Sequence, residues 1–166
     1  AGAKCTGVDH SEEQIKLAKK EFGDSVILLK QDVVKFNTRK KFDIVYIDHV
    51  LSETASKQMV SKILRSARLA LKKSGFLILN EMHPSVAYFP FKNTRTENDS
   101  YFKSGSKIHF RVKKVDGKYI DITDYHWTIG DFTNLLKESG FLIEEITEPQ
   151  APKSVSGEYL KLRQRY

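Results

Sequence analysis

Cysteine is almost absent from this chain, with Cys5 alone among 166 residues. One thiol closes no intrachain disulfide, which excludes the framework of a small secreted domain and makes a cytosolic location the expectation. Long hydrophobic runs are lacking too. None approaches the roughly 18–20 residues of a membrane span, and the opening residues do not read as a secretory signal. No His, Cys, Asp or Glu grouping has metal-ligand spacing, so no metal site is expected. What remains is 40% hydrophobic and 30% charged. That suffices for one domain over 1–166, since a chain of this length buries near 70% of its unfolded surface. The net charge of +7 suits an acidic partner such as RNA. The basic residues are scattered, however, and Arg39-Lys40-Lys41 is their tightest cluster, so a nucleic-acid partner is not favoured over a solvated basic surface.

Strand and helix signals alternate to about Pro149. Lys4–Val8 reads as a strand, and Ser11 with Gln14 forms a capping box before an apolar stripe of Ile15, Ala18 and Phe22 that Gly23 stops. Ser25–Lys30 and Lys41–Asp48 read as buried strands, the latter nearly continuously apolar as in a parallel sheet covered on both faces. A helix over 53–71 carries Met59, Ile63, Ala67 and Leu71 at helical spacing, and Gly75–Glu81 is the next strand. Residues 83–106 read as a loop or lid. Asp116-Gly117 centres a hairpin, completing an insertion over 83–127. Thr128 opens a helix that Gly140 ends, and "FLIEEITEP" and "EYLKLRQRY" read as two final strands. This order predicts a doubly wound α/β sheet, with ligands beyond the carboxyl ends of its strands.

Three acids fall at those ends. Asp9 is placed to accept hydrogen bonds from both ribose hydroxyls of a nucleotide, the other reading being a helix cap that Ser11 already provides. Asp32 can accept from an exocyclic adenine amine while the Val33 N–H serves a ring nitrogen; it is also an ordinary turn residue. Asp48 and His49 end the central strand, beside the place of a cofactor's reactive atom.

In this order the segments "TGVDHSEEQIKLAKK", "LLKQDVVKF", "KFDIVYIDHVL" and "RLALKKSGFLILNE" resemble the successive motifs of class I S-adenosylmethionine-dependent methyltransferases. "YHWTIGDFTNLLKESGFLIEEITEP" is similar to a later segment of the small-molecule branch. The resemblance implies a Rossmann-like sheet of seven strands, mostly parallel with the last antiparallel. It implies S-adenosyl-L-methionine as cofactor, bound by Asp9, His10, Asp32, Val33 and Asp48, and a small-molecule acceptor. One departure is large. The family opens with a strand and a glycine-rich loop, and none of the nine glycines here stands in a G-x-G spacing. The expectation is a piece of a longer protein; the other reading is a product that has lost the loop and binds cofactor poorly.

His49, His83 and His126 are the candidate bases, because imidazole titrates near neutrality. Glu81 is a candidate for orienting His83 or an acceptor amine. Tyr88 and Tyr125 belong to an aromatic group with Phe89, Phe91, Tyr101, Phe102 and Trp127 that either closes over an organic acceptor or simply packs a hairpin. Three other functions stay open. A nicotinamide-dependent oxidoreductase shares the acid of Asp9 but lacks a Tyr-x-x-x-Lys pair after the fourth strand. A catalytically silent binding module fits the absent loop. An RNA methyltransferase fits the charge but lacks an Asn-Pro-Pro-Tyr signature after "YID".

Overall fold

The computed structural model describes residues 2–88, 94–97, 100–114 and 116–148. Strand β1 (Cys5–Asp9), helix α1 (Glu12–Phe22) and strand β2 (Val26–Lys30) form a first parallel unit, with Asp9 opposite Lys30. The Ser11 hydroxyl accepts the Gln14 N–H at 3.3 Å, and Glu12 and Glu13 meet the positive end of the helix dipole. The expected capping box closes on one side only among the described hydrogen bonds. Ser11 Oγ donates to Glu13 Oε2, and the Ser11 N–H is taken by Asp9 Oδ1 at 2.7 Å. None of β1, α1 or β2 contains a fully buried residue.

Strand β3 (Phe42–Asp48), helix α2 (Lys57–Ala70) and strand β4 (Leu71–Asn80) make the second parallel unit, with Asp48 opposite Asn80. Helix α2 begins later than position 53. Ser56 is extended at φ −139, and its hydroxyl takes the Met59 N–H. The helix also ends earlier than expected. Leu71 is already extended and pairs with Phe42, so β4 starts ahead of Gly75 and absorbs residues that sequence reading gave to a helix end. The ladder shifts register between Phe42 and Ile44. At Gly75 a Cβ would lie 2.9 Å from the Asp43 carbonyl oxygen, a distance no side chain tolerates, which explains glycine there.

Alternation along β3 and β4 sends Val45, Ile47, Leu77 and Leu79 toward α2, whose Val60, Ile63, Leu64 and Ala67 are buried against them. Met59, expected on that stripe, is largely exposed. Leu51, Trp127 and Leu135 complete the core. Trp127 Nε1 donates to the carbonyls of Leu51 and Thr54, each at 3.2 Å, so its place is in the core rather than over a substrate. The opposite face of β3 and β4 carries Ile44, Tyr46, Phe76 and Ile78, each about half exposed.

Strand β5 (Thr94–Thr96) adds antiparallel to β6 (Lys107–Lys113), which pairs with β7 (Tyr119–Tyr125) around the expected hairpin. Helix α3 (Ile129–Glu138) follows and packs on α2. Thr128 and Asp131 form a true capping box: Thr128 Oγ1 accepts the Asp131 N–H, and Asp131 Oδ2 accepts the Thr128 N–H, both at 3.0 Å.

Asp131 also joins α3 to α2 and to the insertion. Lys57 Nζ lies 2.5 Å from its Oδ1, and Ser104 donates to its Oδ2. Burial opposes its ionisation, but the hydrogen bonds from Lys57, Ser104 and Thr128 outweigh burial and bring its carboxyl down to about 2. A depressed carboxyl stabilises the fold above the unfolded value near 4, and that contribution fades as pH falls through about 2. With the side chain 11% exposed, the effect is on the order of 2 kcal/mol. In urea melts at pH 5 and pH 2.5, the wild type should therefore lose more stability on acidification than Asp131→Asn; equal losses would remove Asp131 as the source.

The two parallel units are not joined by a ladder: among the described residues β1 pairs only with β2 and β3 only with β4. The continuous seven-stranded sheet implied by the resemblance is thus interrupted between β1 and β3, and the strand placed there by that resemblance has no counterpart among the described residues. Residues 141–148 of "FLIEEITEP" carry no strand pairing, contrary to expectation, because no described strand offers them a ladder. The final strand "EYLKLRQRY" and the lid aromatics Phe89 and Phe91 lie outside the described residues.

Candidate active site

Parallel pairing in register brings the strand ends level, so the predicted acids gather at the carboxyl edge of each unit. At the first, Asp9 Oδ1 accepts from the Ser11 N–H, with His10 Nδ1 3.8 Å away. Asp9 is 42% exposed along its side chain, and no described bond claims its Oδ2. Asp32 follows β2 and caps the short turn Val33–Lys35, its Oδ1 accepting the Val34 N–H at 2.9 Å. Its second oxygen also has no described partner. Val33 packs against the core, and its carbonyl accepts from Ser66 Oγ at 2.7 Å. The turn carrying Asp32 is therefore anchored to α2.

At the second unit, Asp48 Oδ1 accepts from Asn80 Nδ2 at 2.7 Å, and His49 Nε2 lies 3.8 Å from it. His49 has φ 52, a left-handed backbone that a non-glycine residue adopts at a cost of about 1–3 kcal/mol and that gathers at functional sites. Glu81 lies just beyond β4. Its Oε1 accepts the Leu51 N–H at 2.8 Å and its Oε2 the Ser52 N–H at 3.2 Å. Burial raises the Glu81 carboxyl, partly offset by these bonds and by His49. Glu81 thus holds the turn after β3 and makes no described contact with His83.

The remaining predicted residues separate into two groups. Tyr125 joins the second unit, its N–H donating to the Ser52 carbonyl at 2.6 Å. His126 is 1% exposed; its Nε2 faces the Tyr101 carbonyl at 2.7 Å, so that nitrogen carries the hydrogen, and its Nδ1 is buried without a partner. Tyr88 and Tyr101 stand edge-on to its ring, each 5.3 Å away, and Tyr88 donates to the Ser100 carbonyl. His83 is elsewhere engaged, with Nδ1 2.6 Å from Ser85 Oγ and Nε2 2.8 Å from Glu148 Oε1.

Sequence reading missed Asp124, Ser52 and Glu53. Asp124 is 7% exposed on β7, its Oδ1 buried with no partner, and the Ser52 hydroxyl is equally orphaned. Burial raises the Asp124 carboxyl, Glu53 repels its charge further, and His49 opposes both. A signal existed: Asp124 falls in step with Ile120 and Ile122, an acid on the apolar register of a strand.

Comparison with known proteins bears on the fold. The family model described as a methyltransferase domain matches residues 1–79. That match takes in a little under half of the chain, from β1 through most of β4. An N-demethylindolmycin N-methyltransferase from Streptomyces griseus is 22% identical over 169 residues, covering 98% of this chain and 71% of that protein. A solved S-adenosylmethionine-dependent methyltransferase from Clostridium acetobutylicum superposes with a TM-score of 0.67 at 17% identity, over 94% of this chain and 71% of the other. A further one from Mesorhizobium loti gives 0.63 at 20% identity, over 98% and 72%. These structures share the fold of this chain. Among the described residues no helix is long and apolar enough to cross a membrane, and none of the His, Cys, Asp and Glu side chains group to hold a metal.

Proposed function

We propose that this chain is a methyltransferase that moves a methyl group from S-adenosylmethionine to a small organic acceptor. The observation that carries the reading is the pair of acids ending the first parallel unit, each with one carboxylate oxygen fixed by a backbone N–H and the other unclaimed. Those oxygens fit a nucleoside: Asp9, with His10 beside it, would accept the ribose hydroxyls, and Asp32 with the Val33 N–H would hold adenine. Asp48 would flank the methionine part. When bound, S-adenosylmethionine supplies a methyl group already activated on a sulfonium.

The protein's own contribution is to align an acceptor with that methyl, exclude water and receive a proton. His49 is our choice among the three histidines as proton acceptor, since it stands half-exposed at the end of β3 beside Asp48. The 83–127 insertion, with Tyr88 and Tyr125, would cover the acceptor. The small-molecule assignment draws support from the Streptomyces griseus relative, whose name describes methylation of a small compound on nitrogen.

Calorimetric titration with S-adenosylhomocysteine tests the cofactor site. The wild-type protein should bind it, and Asp9→Ala should weaken binding by about 1–3 kcal/mol, roughly 5- to 150-fold in Kd, through loss of a charged acceptor. Unchanged affinity in the variant would take Asp9 out of the site. Absence of wild-type binding would overturn the cofactor assignment.

A further inference from the structure

The second unit gathers negative charge in a protein whose net charge is +7. Asp48, Glu53, Glu81 and Asp124 converge on the turn after β3, and His49 is the cation that acts on Glu81 and Asp124 there. Asp48 is met by the Asn80 amide and Glu81 by two backbone N–H groups. Glu53 has no described partner. Asp124 is more than nine-tenths buried with an orphaned oxygen, and so is Ser52. Tyr125 donates its N–H to Ser52, which ties β7 and this turn together beside Asp124. A buried carboxylate oxygen without a hydrogen-bond donor is costly, and the described residues offer Asp124 Oδ1 none.

Resting on the methyltransferase reading above, we propose that the acceptor is an amine, held as its ammonium between Asp124 and Glu53 with Ser52 completing the hydrogen bonds. An ammonium offers three donors to these acceptors. An anionic acceptor would be repelled by the same four carboxylates, and a neutral alcohol would leave Asp124 uncompensated. The ammonium gives one proton to His49, which acts electrostatically on both Asp124 and Glu81, and the freed nitrogen lone pair takes the methyl. A C–N bond forms as the C–S bond breaks, leaving an N-methylammonium and a neutral thioether. Tyr88 and Tyr101, packed around buried His126 two residues along from Asp124, favour an amine on an aromatic or otherwise planar frame.

The test is titration of the protein with benzylamine and with benzyl alcohol, which share a frame and differ in the group that meets the carboxylates. Benzylamine should bind at least tenfold more tightly, and Asp124→Asn should remove most of that preference. Glu53→Gln, an exposed change that leaves the core intact, should weaken benzylamine several-fold with little effect on the alcohol. Equal affinity for amine and alcohol overturns the proposal. So does an undiminished preference in Glu53→Gln, whatever the folding of the Asp124 variant. Titration with S-adenosylhomocysteine separates the two readings: a carboxylate-dependent amine site in a protein that binds no S-adenosylhomocysteine keeps the amine site and removes the methyl transfer.

Discussion

Trp127→Ala should destabilise the protein by about 3–5 kcal/mol, a large part of the roughly 5–15 kcal/mol that holds an ordinary domain. The indole is 4% exposed and sits among Leu51, Val60 and Leu135. Its removal opens a cavity and leaves the Leu51 and Thr54 carbonyls without their shared donor. It also withdraws the surface on which Gly105 rests, 3.6 Å from the ring at the position a Cβ would take. The insertion and the turn after β3 should therefore loosen together. Urea unfolding followed by circular dichroism measures this, because the variant lacks the chain's single tryptophan as a fluorophore. A loss below 1 kcal/mol would mean that Trp127 does not join these elements.

Glu81→Ala should be the second costly change. Two N–H groups, of Leu51 and Ser52, depend on one carboxylate in a partly buried place. Leaving each without an acceptor costs about 1–3 kcal/mol unless water enters. Glu81→Gln keeps one acceptor oxygen and turns an amide donor toward the other N–H, so its loss should fall between wild type and alanine. The same turn carries His49, Ser52 and Glu53, so benzylamine affinity should fall in step with stability. If Glu81→Ala matches the wild type in urea midpoint, the carboxylate is free for an acceptor rather than committed to the backbone.

The elements and their order were legible because local signals agreed with the packing. Ser11 and Thr128 announce helix starts through side chains that satisfy backbone N–H groups in the structure. The β-branched run to Asp48 became β3, and its inward positions Val45 and Ile47 meet the core. The acids at strand ends were legible for the same reason, since a parallel strand ends where its chain turns toward a ligand. What escaped reading depends on distant partners. Leu71 leaves the helix because Phe42 offers it a ladder, which no property of "RLALKKS" reveals. Phe141 to Ile143 form a short apolar run typical of a strand, but such a run does not supply a neighbour. Asp124 shares the register of Ile120 and Ile122, but its burial next to Ser52 depends on how β7 packs. Glu81 was read as a group to orient His83 or an acceptor amine, and its bonds to the Leu51 and Ser52 N–H groups were not legible.

The absence of any fully buried side chain from β1, α1 and β2 has a consequence for measured affinity. A unit so lightly packed opens at a lower free energy than α2 and the strands beneath it. On the reading proposed above, Asp9 and Asp32 would face one nucleoside only while that unit is closed, so a nucleoside bridging them would bind the closed form alone. Its apparent affinity is the intrinsic one scaled by the closed fraction. Binding there also acts as a fastener, and amide exchange in β1 and β2 would slow as the ligand fills the site.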